Sequence, residues 1–272
     1  MTTSAHRASG EPTRQGGSPE RVPLDAPPAP PVAELVFGDR LPLAQAYVAE
    51  LATTGVTHGL LGPREVPRLW DRHVLNCAVL GDLVPRDAHV VDVGSGAGLP
   101  GLALAIARPD LRIDLVEPML RRTTWLEDVI GRLGLTGVTV TRARAEQVAG
   151  RLHAPVVTSR AVARIGQLAV WSVPLVEAGG MVLALKGVSA ADELAEDAAL
   201  VREAGIVDAE VVQCGGDALE TPTTVIRAFV ADDHRPGPTP LLARPRQGKR
   251  RSGPGTREVS RETPRRRGGR PG

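Results

Sequence analysis

Three glycines at alternate positions, Gly94, Gly96 and Gly98, are the residues of this 272-residue sequence whose types and spacing most directly indicate a ligand site. They follow a β-branched run that ends at Val93, and Leu99 begins an apolar pattern with helical spacing. Glycine tolerates positive φ and has no Cβ, so the loop backbone can approach a ligand closely, and the helix start behind it favours negative groups. The loop therefore predicts a site for a nucleotide-type ligand.

Two acids frame this loop and narrow the choice of ligand. Glu117 ends the next β-branched run, near the position from which an acid accepts hydrogen bonds from ribose hydroxyls. Asp92 lies one residue inside the end of the first run, where its carboxylate would repel a pyrophosphate. Adenosine joined to a cationic sulfonium amino acid, which is S-adenosylmethionine (SAM), fits both acids. The combination is typical of class I SAM-dependent methyltransferases, and the alternative is a glycine turn of another α/β protein.

Residues 96–101 also satisfy the dinucleotide pattern G-x-G-x-x-G. In that fingerprint the first glycine closes the first strand and the third allows close helix packing. Here Gly94 closes the strand, and this leaves Leu99 where the third glycine is needed. The spacing therefore disfavours an NAD-dependent oxidoreductase.

Seven short β-branched runs position these residues, and helical patterns separate most of them. The runs are residues 89–93, 112–117, 138–141, 156–159, 181–186, 207–213 and 223–230. Such alternation predicts an α/β fold with a Rossmann-like, doubly wound, largely parallel sheet that helices cover on both faces. The last two runs are joined by a polar loop without a helix, so we expect a terminal antiparallel hairpin. Residues 32–84 have helical spacing and predict a small helical amino-terminal segment.

Composition divides the chain into a core and two tails. All six aromatic residues lie between residues 32 and 233, whereas 14 of the 24 prolines lie in residues 1–31 and 234–272. We therefore expect a methyltransferase domain over residues 32–233, with its SAM-binding core at 85–233, between two disordered tails. The second tail carries 12 Arg or Lys against two Glu, which suits a polyanionic partner; a tail that only improves solubility is the alternative.

Cys77 and Cys214 are too few for a disulfide framework and too far apart for a zinc site. We expect both to be reduced packing residues and expect no metal. The longest aliphatic run, residues 102–107, is much shorter than a membrane span, and the amino terminus lacks the apolar stretch of a signal peptide. The expectation is a cytoplasmic protein without membrane contact, and we expect a monomer.

Several motifs together resemble the bacterial small-subunit (16S) ribosomal RNA guanine-N7 methyltransferases of the RsmG or GidB type. These motifs are Asp71-Arg-His-Val-Leu75, Val91-Asp-Val-Gly-Ser-Gly-Ala-Gly-Leu-Pro-Gly101, Arg144-Ala-Glu146, Ser159-Arg-Ala161 and Leu185-Lys-Gly187. The resemblance runs from about residue 41 to residue 230. The chain departs from many members at residues 57–63, where Asn-Leu-Thr is usual, and in both tails.

The resemblance implies SAM contacts beyond Gly96 and Glu117, which the pattern above already names. The implied contacts are Gly94, Leu99, Ala145, Glu146 and Arg160. For two of them a structural role is the alternative: Glu146 could simply compensate a helix dipole, and Arg160 could only pair with Asp92 or Glu117.

Four basic residues are candidates for guiding an RNA substrate: Arg72, His73, Arg122 and Lys186. His73 lies beside an apolar helical face, where packing is the commoner role, whereas Lys186 follows a strand on the predicted cofactor side. Arg121 and Arg122 begin a helix, a poor place for cations, which indicates a phosphate contact.

Guanine N7 has an unprotonated lone pair at neutral pH, so its attack on a sulfonium methyl group requires no general base. We therefore name no catalytic residue and expect the protein to act by holding nitrogen, carbon and sulfur in line. Two other functions stay open at this point: a class I methyltransferase of a small molecule or protein, and an RNA-binding protein without catalysis. The intact glycine loop and Glu117 argue against the second.

Overall fold

The structure of the protein, a computed structural model, describes residues 25–238 and residue 241. The predictions of disorder for residues 1–24 and for most of the basic tail, residues 242–272, lie outside the described residues. Within the described part of the chain, no helix is long and apolar enough to cross a membrane.

A seven-stranded sheet with the order β3-β2-β1-β4-β5-β7-β6 forms the centre of the fold. The strands are β1 His89–Val93, β2 Arg112–Val116, β3 Val138–Thr141, β4 Ala154–Arg160, β5 Val176–Leu185, β6 Ile206–Cys214 and β7 Thr223–Val230. Strands β1 to β5 pair in parallel, and β7 runs antiparallel to both β5 and β6. The predicted doubly wound sheet with a terminal antiparallel hairpin is confirmed.

Helices cover both faces of this sheet. The α-helices are α1 Val32–Phe37, α2 Leu41–Glu50, α3 Leu75–Ala78, α4 Gly101–Ala107, α5 Leu120–Leu133, α6 Ala145–Val148, α7 Ile165–Ser172, α8 Ala190–Glu196 and α9 Ala198–Glu203. Tighter 3-10 turns occur at Gly38–Arg40, Pro63–Arg68, Val79–Leu83 and Val173–Leu175, and wider π turns at Leu51–Gly55 and Leu69–Val74.

The core has two layers because successive residues of a strand point to opposite faces of the sheet. In β1, Val90 packs into the layer formed with helices α1 to α5, whereas Val91 and Val93 pack into the layer formed with α6 to α9. Strand order reverses between β1 and β4, and this opens a crevice at their carboxyl ends. We refer to this side of the sheet as the carboxyl edge.

The amino-terminal helical segment supports the carboxyl edge from one side. The buried Tyr47 hydroxyl donates a 2.7 Å hydrogen bond to the carbonyl oxygen of Ala97 in the glycine loop. The indole of Trp125, on α5, donates to the hydroxyl of Thr54 at 2.8 Å. The segment therefore holds the loop and the sheet helices in place.

The packed chain extends past residues 32–233 at both ends. Before residue 32, the carbonyl oxygen of Pro27 accepts a 3.0 Å hydrogen bond from the indole of Trp70. After residue 233, the Gly237 amide donates to the carbonyl oxygen of Pro174, and Leu241 packs against the layer of α6 to α9. Proline-rich composition alone does not show these contacts, because each depends on a partner that is distant in the sequence.

Candidate active site

A cavity of about 510 Å³ lies at the carboxyl edge, where β1, β2 and β4 end. Its walls come from the glycine loop, the ends of β2 and β4, and two turns of the amino-terminal segment. The lining residues are Leu60, Leu61, His73, Gly94, Ser95, Gly96, Ala97, Leu99, Glu117, Pro118, Met119, Arg122, Arg160, Ala161 and Val162. Its size lies in the range usual for small-molecule sites.

The glycine loop forms the floor of this cavity. Gly94 has φ +75° and Gly96 has φ +56°, a region that L side chains rarely adopt. A Cβ atom at Gly94 would lie 2.6 Å from the side chain of Val162, in the segment after β4. Glycine is therefore required at this position both by its backbone angle and by the close approach of the two segments.

Glu117 is buried at the end of β2 and binds the loop. Its Oε2 accepts hydrogen bonds from the Gly96 amide (3.1 Å) and from Arg122 Nη1 (3.3 Å), and its Oε1 accepts one from the Met119 amide (3.0 Å). The carboxylate is 1% exposed, so these donors and Arg122 keep a buried charge paired. Glu117, the acid that the sequence predicts to accept hydrogen bonds from ribose hydroxyl groups, thus lies in the cavity wall.

Asp92 corrects one step of the sequence interpretation. Its side chain does not line the cavity but lies fully buried beneath it, where Oδ2 accepts a 3.1 Å hydrogen bond from the Gly101 amide at the start of α4. Its Oδ1 has no hydrogen-bond partner, and burial raises the pKa of this carboxyl to about 7. Asp92 thus satisfies the helix start from inside, instead of presenting a charge to the ligand.

Arg160, at the end of β4, is held by the amino-terminal segment. Its Nη2 donates to His73 Nδ1 at 2.6 Å, and its Nη1 donates to the carbonyl oxygen of His73 (3.3 Å) and to Cys77 Sγ (3.1 Å). Among the described residues, no hydrogen bond or ion pair joins Arg160 to Asp92 or Glu117, so Arg160 does not act as the partner of either acid.

The hydrogen bonds around His73 fix the position of its proton. A guanidinium has no acceptor atom, so Nδ1 must accept from Arg160 and the ring proton must be on Nε2. That Nε2 donates to Glu65 Oε2 at 2.7 Å. Burial, and then the charge of Arg160, lower the pKa of His73, which keeps the ring neutral. Glu65, His73 and Arg160 therefore form a chain of hydrogen bonds that ends at the cavity wall.

The structure brings together most of the predicted site residues, but not all of them. Gly94, Gly96, Leu99, Glu117, His73, Arg122 and Arg160 line the cavity. Ala145 and Glu146 begin α6 after β3, at the same edge of the sheet but outside the cavity lining. Arg72 also lies outside the lining and forms an ion pair with Glu65 at 3.4 Å. Lys186 donates to Glu193 at 2.6 Å and to the carbonyl oxygen of Ala163 at 2.7 Å.

The apolar walls of the cavity are not among the residues that the sequence predicts for the site. Leu60 and Leu61 come from the segment that departs from the family motif, and Met119 and Val162 follow β2 and β4. Met119 and Val162 are 45% and 39% exposed, so they present apolar surface to the cavity. Apolar residues in such loops were the available signal, because no helix or strand period requires them there.

The described residues contain no group of three or more His, Cys, Asp or Glu side chains that could hold a metal ion. Cys77 and Cys214 are both buried and free. Burial raises the pKa of both thiols.

The cavity suits SAM. The positive-φ glycines leave backbone without side chains on its floor, Leu99 offers an apolar contact, and a buried carboxylate stands at the end of the second strand. Fold and cavity together define a class: the protein is a SAM-dependent methyltransferase with the class I fold.

The family can also be stated. The rRNA small subunit methyltransferase G family matches residues 40–221, so the chain belongs to it, as the motifs indicated. The chain is 56% identical over 204 residues to a ribosomal RNA small subunit methyltransferase G of Renibacterium salmoninarum, which covers 75% of this chain and 95% of that protein. It is 50% identical over 231 residues to the Nocardioides protein of the same name, with 85% and 92% covered. Among solved structures, the methyltransferase SibL in its apo form matches with a TM-score of 0.49 and 19% identity, over 72% of this chain and 76% of that one.

Proposed function

We propose that this protein transfers the methyl group of SAM to N7 of a guanine in 16S ribosomal RNA, as naked RNA or within the small ribosomal subunit. The observation that carries the proposal is one cavity in which the glycine loop, buried Glu117 and the guanidinium of Arg160 meet. Family membership and the names of the relatives support the RNA class. The motif resemblance supplies the guanine and its N7 atom.

When bound, SAM supplies an electrophilic methyl group. Gly94, Gly96 and Leu99 would hold it from below through backbone and apolar contacts. Three protein hydrogen bonds already reach Glu117, and a carboxylate accepts about four, so one position is left for a ribose hydroxyl. Ala145 and Glu146, outside the cavity lining, are proposed to reach the adenine edge from the start of α6.

Arg160 is the residue that we propose to orient the reacting groups. A guanidinium has five N–H donors, and His73 and Cys77 take three of them. The others can bind a carboxylate or guanine O6. The apolar walls formed by Leu60, Leu61 and Met119 suit the faces of a purine.

The cavity also supports a reaction without a general base. Both ring nitrogens of His73 are engaged, by Glu65 and by Arg160, and both oxygens of Glu117 accept hydrogen bonds from the protein. Among the described lining residues these are the side chains able to accept a proton at neutral pH. An rRNA substrate implies action in the cytoplasm, and we propose that the enzyme acts there as a monomer.

Transfer of tritium from labelled SAM tests this function. We expect label in 16S RNA, offered as naked RNA or in small subunits, and 7-methylguanosine as the labelled nucleoside after digestion. Gly94→Ala should lower the transfer at least about tenfold, because a Cβ there meets Val162 at 2.6 Å. Gly38→Ala is the matched control, since Gly38 also has positive φ but no atom within 4 Å of the added Cβ. Label found only in protein or in a small molecule would contradict the proposal and indicate another class I methyltransferase.

A further inference from the structure

Two exposed arginines flank Glu117 on the outer side of the cavity. Arg142 follows Thr141, the last residue of β3, and the carbonyl oxygen of Thr141 accepts the Glu117 amide at 3.2 Å. Arg121 is the second residue of α5, next to the Arg122 that binds Glu117. Its guanidinium extends toward residues 57–63 and lies 3.9 Å from where a Cβ on Gly59 would be.

Neither Arg121 nor Arg142 forms an ion pair within residues 25–238 and 241. Several arginines elsewhere on the surface are matched with carboxylates: Arg108 pairs with Asp110 at 2.7 Å, Arg132 with Glu50 at 2.7 Å and Arg227 with Glu210 at 2.5 Å. The β2–β3 end of the carboxyl edge therefore carries positive charge that the described protein does not neutralise.

The opposite end of the same edge is acidic. Residues 187–197, which follow β5, contain four acids and no arginine or lysine, and the hairpin loop 215–222 adds Asp217 and Glu220. The two cations nearest the cavity on that side are already paired, Lys186 with Glu193 at 2.6 Å and Arg164 with Asp197 at 2.9 Å. The formal charge along the edge thus changes from positive at the β2–β3 end to negative at the end beyond β5.

We infer that the RNA strand carrying the target base leaves the cavity over β2 and β3, with backbone phosphates at Arg121 and Arg142, and avoids the acidic end beyond β5. This inference rests on the proposed function and adds a direction to it. Phosphates attract unpaired arginines and release counterions on binding, whereas acids repel the same backbone. Arg64, exposed and three residues beyond the cavity-lining Leu61, continues the positive surface onto the amino-terminal segment.

The test compares two double variants of equal charge change. Arg121→Gln with Arg142→Gln removes the proposed phosphate contacts. Arg86→Gln with Arg112→Gln removes two exposed arginines that precede or begin β1 and β2 at the opposite edge, and neither of those forms an ion pair in the described structure. Binding of each protein to unmethylated 16S RNA is measured over a salt series, and SAM affinity is measured by calorimetry.

For the Arg121 and Arg142 variant, we expect RNA affinity at low salt to fall on the order of tenfold or more. The slope of log K against log salt should become shallower by about 1.4 to 1.8, or 0.7 to 0.9 for each lost phosphate contact. The control pair should match wild type, and SAM affinity should stay within twofold in both. Asp192→Asn, in the acidic end, should bind RNA at least as tightly as wild type.

An unchanged salt slope in the Arg121 and Arg142 variant would overturn the inference, as would an equal loss in the control pair. If the wild-type protein methylates 16S RNA and the slope does not change, the path is wrong and the proposed function stands. If the wild-type protein transfers no methyl group to RNA, the proposed function fails, and the inference fails with it.

Discussion

At the scale of residues, the site depends on where protons are held. His73 and Arg160 are 87 residues apart in the sequence, yet their hydrogen bond is only 2.6 Å long. This hydrogen bond requires an unprotonated Nδ1. Glu65 favours that tautomer because its Oε2 accepts a 2.7 Å hydrogen bond from the protonated Nε2. Glu65 does not line the cavity, so we regard it as a positioning residue that acts on Arg160 through His73.

Variants of Glu65 test this role. Glu65→Ala leaves the imidazole free to move its proton to Nδ1, where it can no longer accept from Arg160, so kcat for RNA methylation should fall about tenfold, or about 1.4 kcal/mol. Glu65→Gln keeps an acceptor oxygen and should remain within about threefold of wild type. Rates that are equally low in both variants would show that the charge of Glu65, and not its acceptor, is what matters.

The pH profile of the same variants gives a second measurement. Burial lowers the pKa of His73 and the bond to Glu65 partly raises it again, so removing the carboxylate charge lowers this pKa further. Protonated His73 cannot accept from Arg160, so kcat should fall on the acid side. In Glu65→Gln that fall should occur at lower pH than in wild type. A fall at the same or higher pH would mean that His73 does not control it.

Asp92 predicts how stability changes with pH. Burial raises its folded-state pKa to about 7, whereas an unfolded Asp titrates near 4. Between these pH values only the unfolded chain releases the proton. The free energy of unfolding of the wild type therefore falls by up to about 1.4 kcal/mol per pH unit from about pH 4 to pH 7, and Asp92 causes no further fall above pH 7. Asp92→Asn retains an oxygen for the Gly101 amide and should lack this loss.

Denaturant unfolding of wild type and Asp92→Asn at pH 5 and pH 8 measures the difference. The variant should gain stability relative to wild type at the higher pH. Asp128→Asn, an exposed acid on α5, is the control and should give curves parallel to wild type. If the difference in unfolding free energy between wild type and Asp92→Asn is the same at both pH values, Asp92 is already ionised in the folded protein at pH 5.

At the scale of elements, the segment after β4 depends on β5 and α8. Lys186 Nζ donates to the carbonyl oxygen of Ala163, and Glu193 accepts both from Lys186 and from the Ile165 amide. Between these anchors and β4 lies Val162, which packs on Gly94. The Lys186–Glu193 pair thus holds a wall of the cavity in place, a role different from the RNA contact that the sequence predicts for Lys186.

The two roles for Lys186 have different signatures. Lys186 and Glu193 are only 10% and 15% exposed, so Lys186→Gln should cost about 3 kcal/mol of folding stability and weaken SAM binding several-fold. Arg164→Gln is the control from the same segment: its pairs with Glu196 and Asp197 are more exposed, so stability should change far less. A raised KM for RNA with normal stability and normal SAM affinity would instead support direct RNA contact by Lys186.

Elements were easier to predict than the contacts between them. The seven β-branched runs and the hairpin follow from local periodicity, and Glu117 could be placed because a strand end fixes its side of the sheet. Leu60, Leu61 and Glu65 could not be placed in this way, since their positions depend on how the amino-terminal segment packs across the sheet. The sequence places Asp92 correctly near the end of β1 but predicts that its carboxylate faces the ligand. The carboxylate instead points into the protein, because side chains alternate within β1 and the amide at the start of α4 binds it.

At the scale of the whole molecule, contacts among the described residues continue past Asp233, where composition predicts the domain to end. His234 Nε2 lies 3.1 Å from the carbonyl oxygen of Val173, the Gly237 amide donates to Pro174 at 2.9 Å, and Leu241 packs on the layer of α6 to α9. Beyond Leu241 the sequence contains 11 Arg or Lys against two Glu. A truncation after Leu241 therefore keeps these contacts and removes most of the basic charge of the tail.

Two truncations distinguish these contributions. A chain ending at Asp233 loses two hydrogen bonds and the partly buried Leu241, so we expect about 1–3 kcal/mol less stability. A chain ending at Leu241 should unfold like the full chain and bind SAM equally well, but it should bind 16S RNA more weakly at low salt with a shallower salt slope. The choice of methylated guanine should not change, because phosphate contacts carry no sequence information. If the chain ending at Leu241 keeps the salt slope of the full chain, the basic tail only aids solubility. The arginines of the folded domain then supply the phosphate contacts.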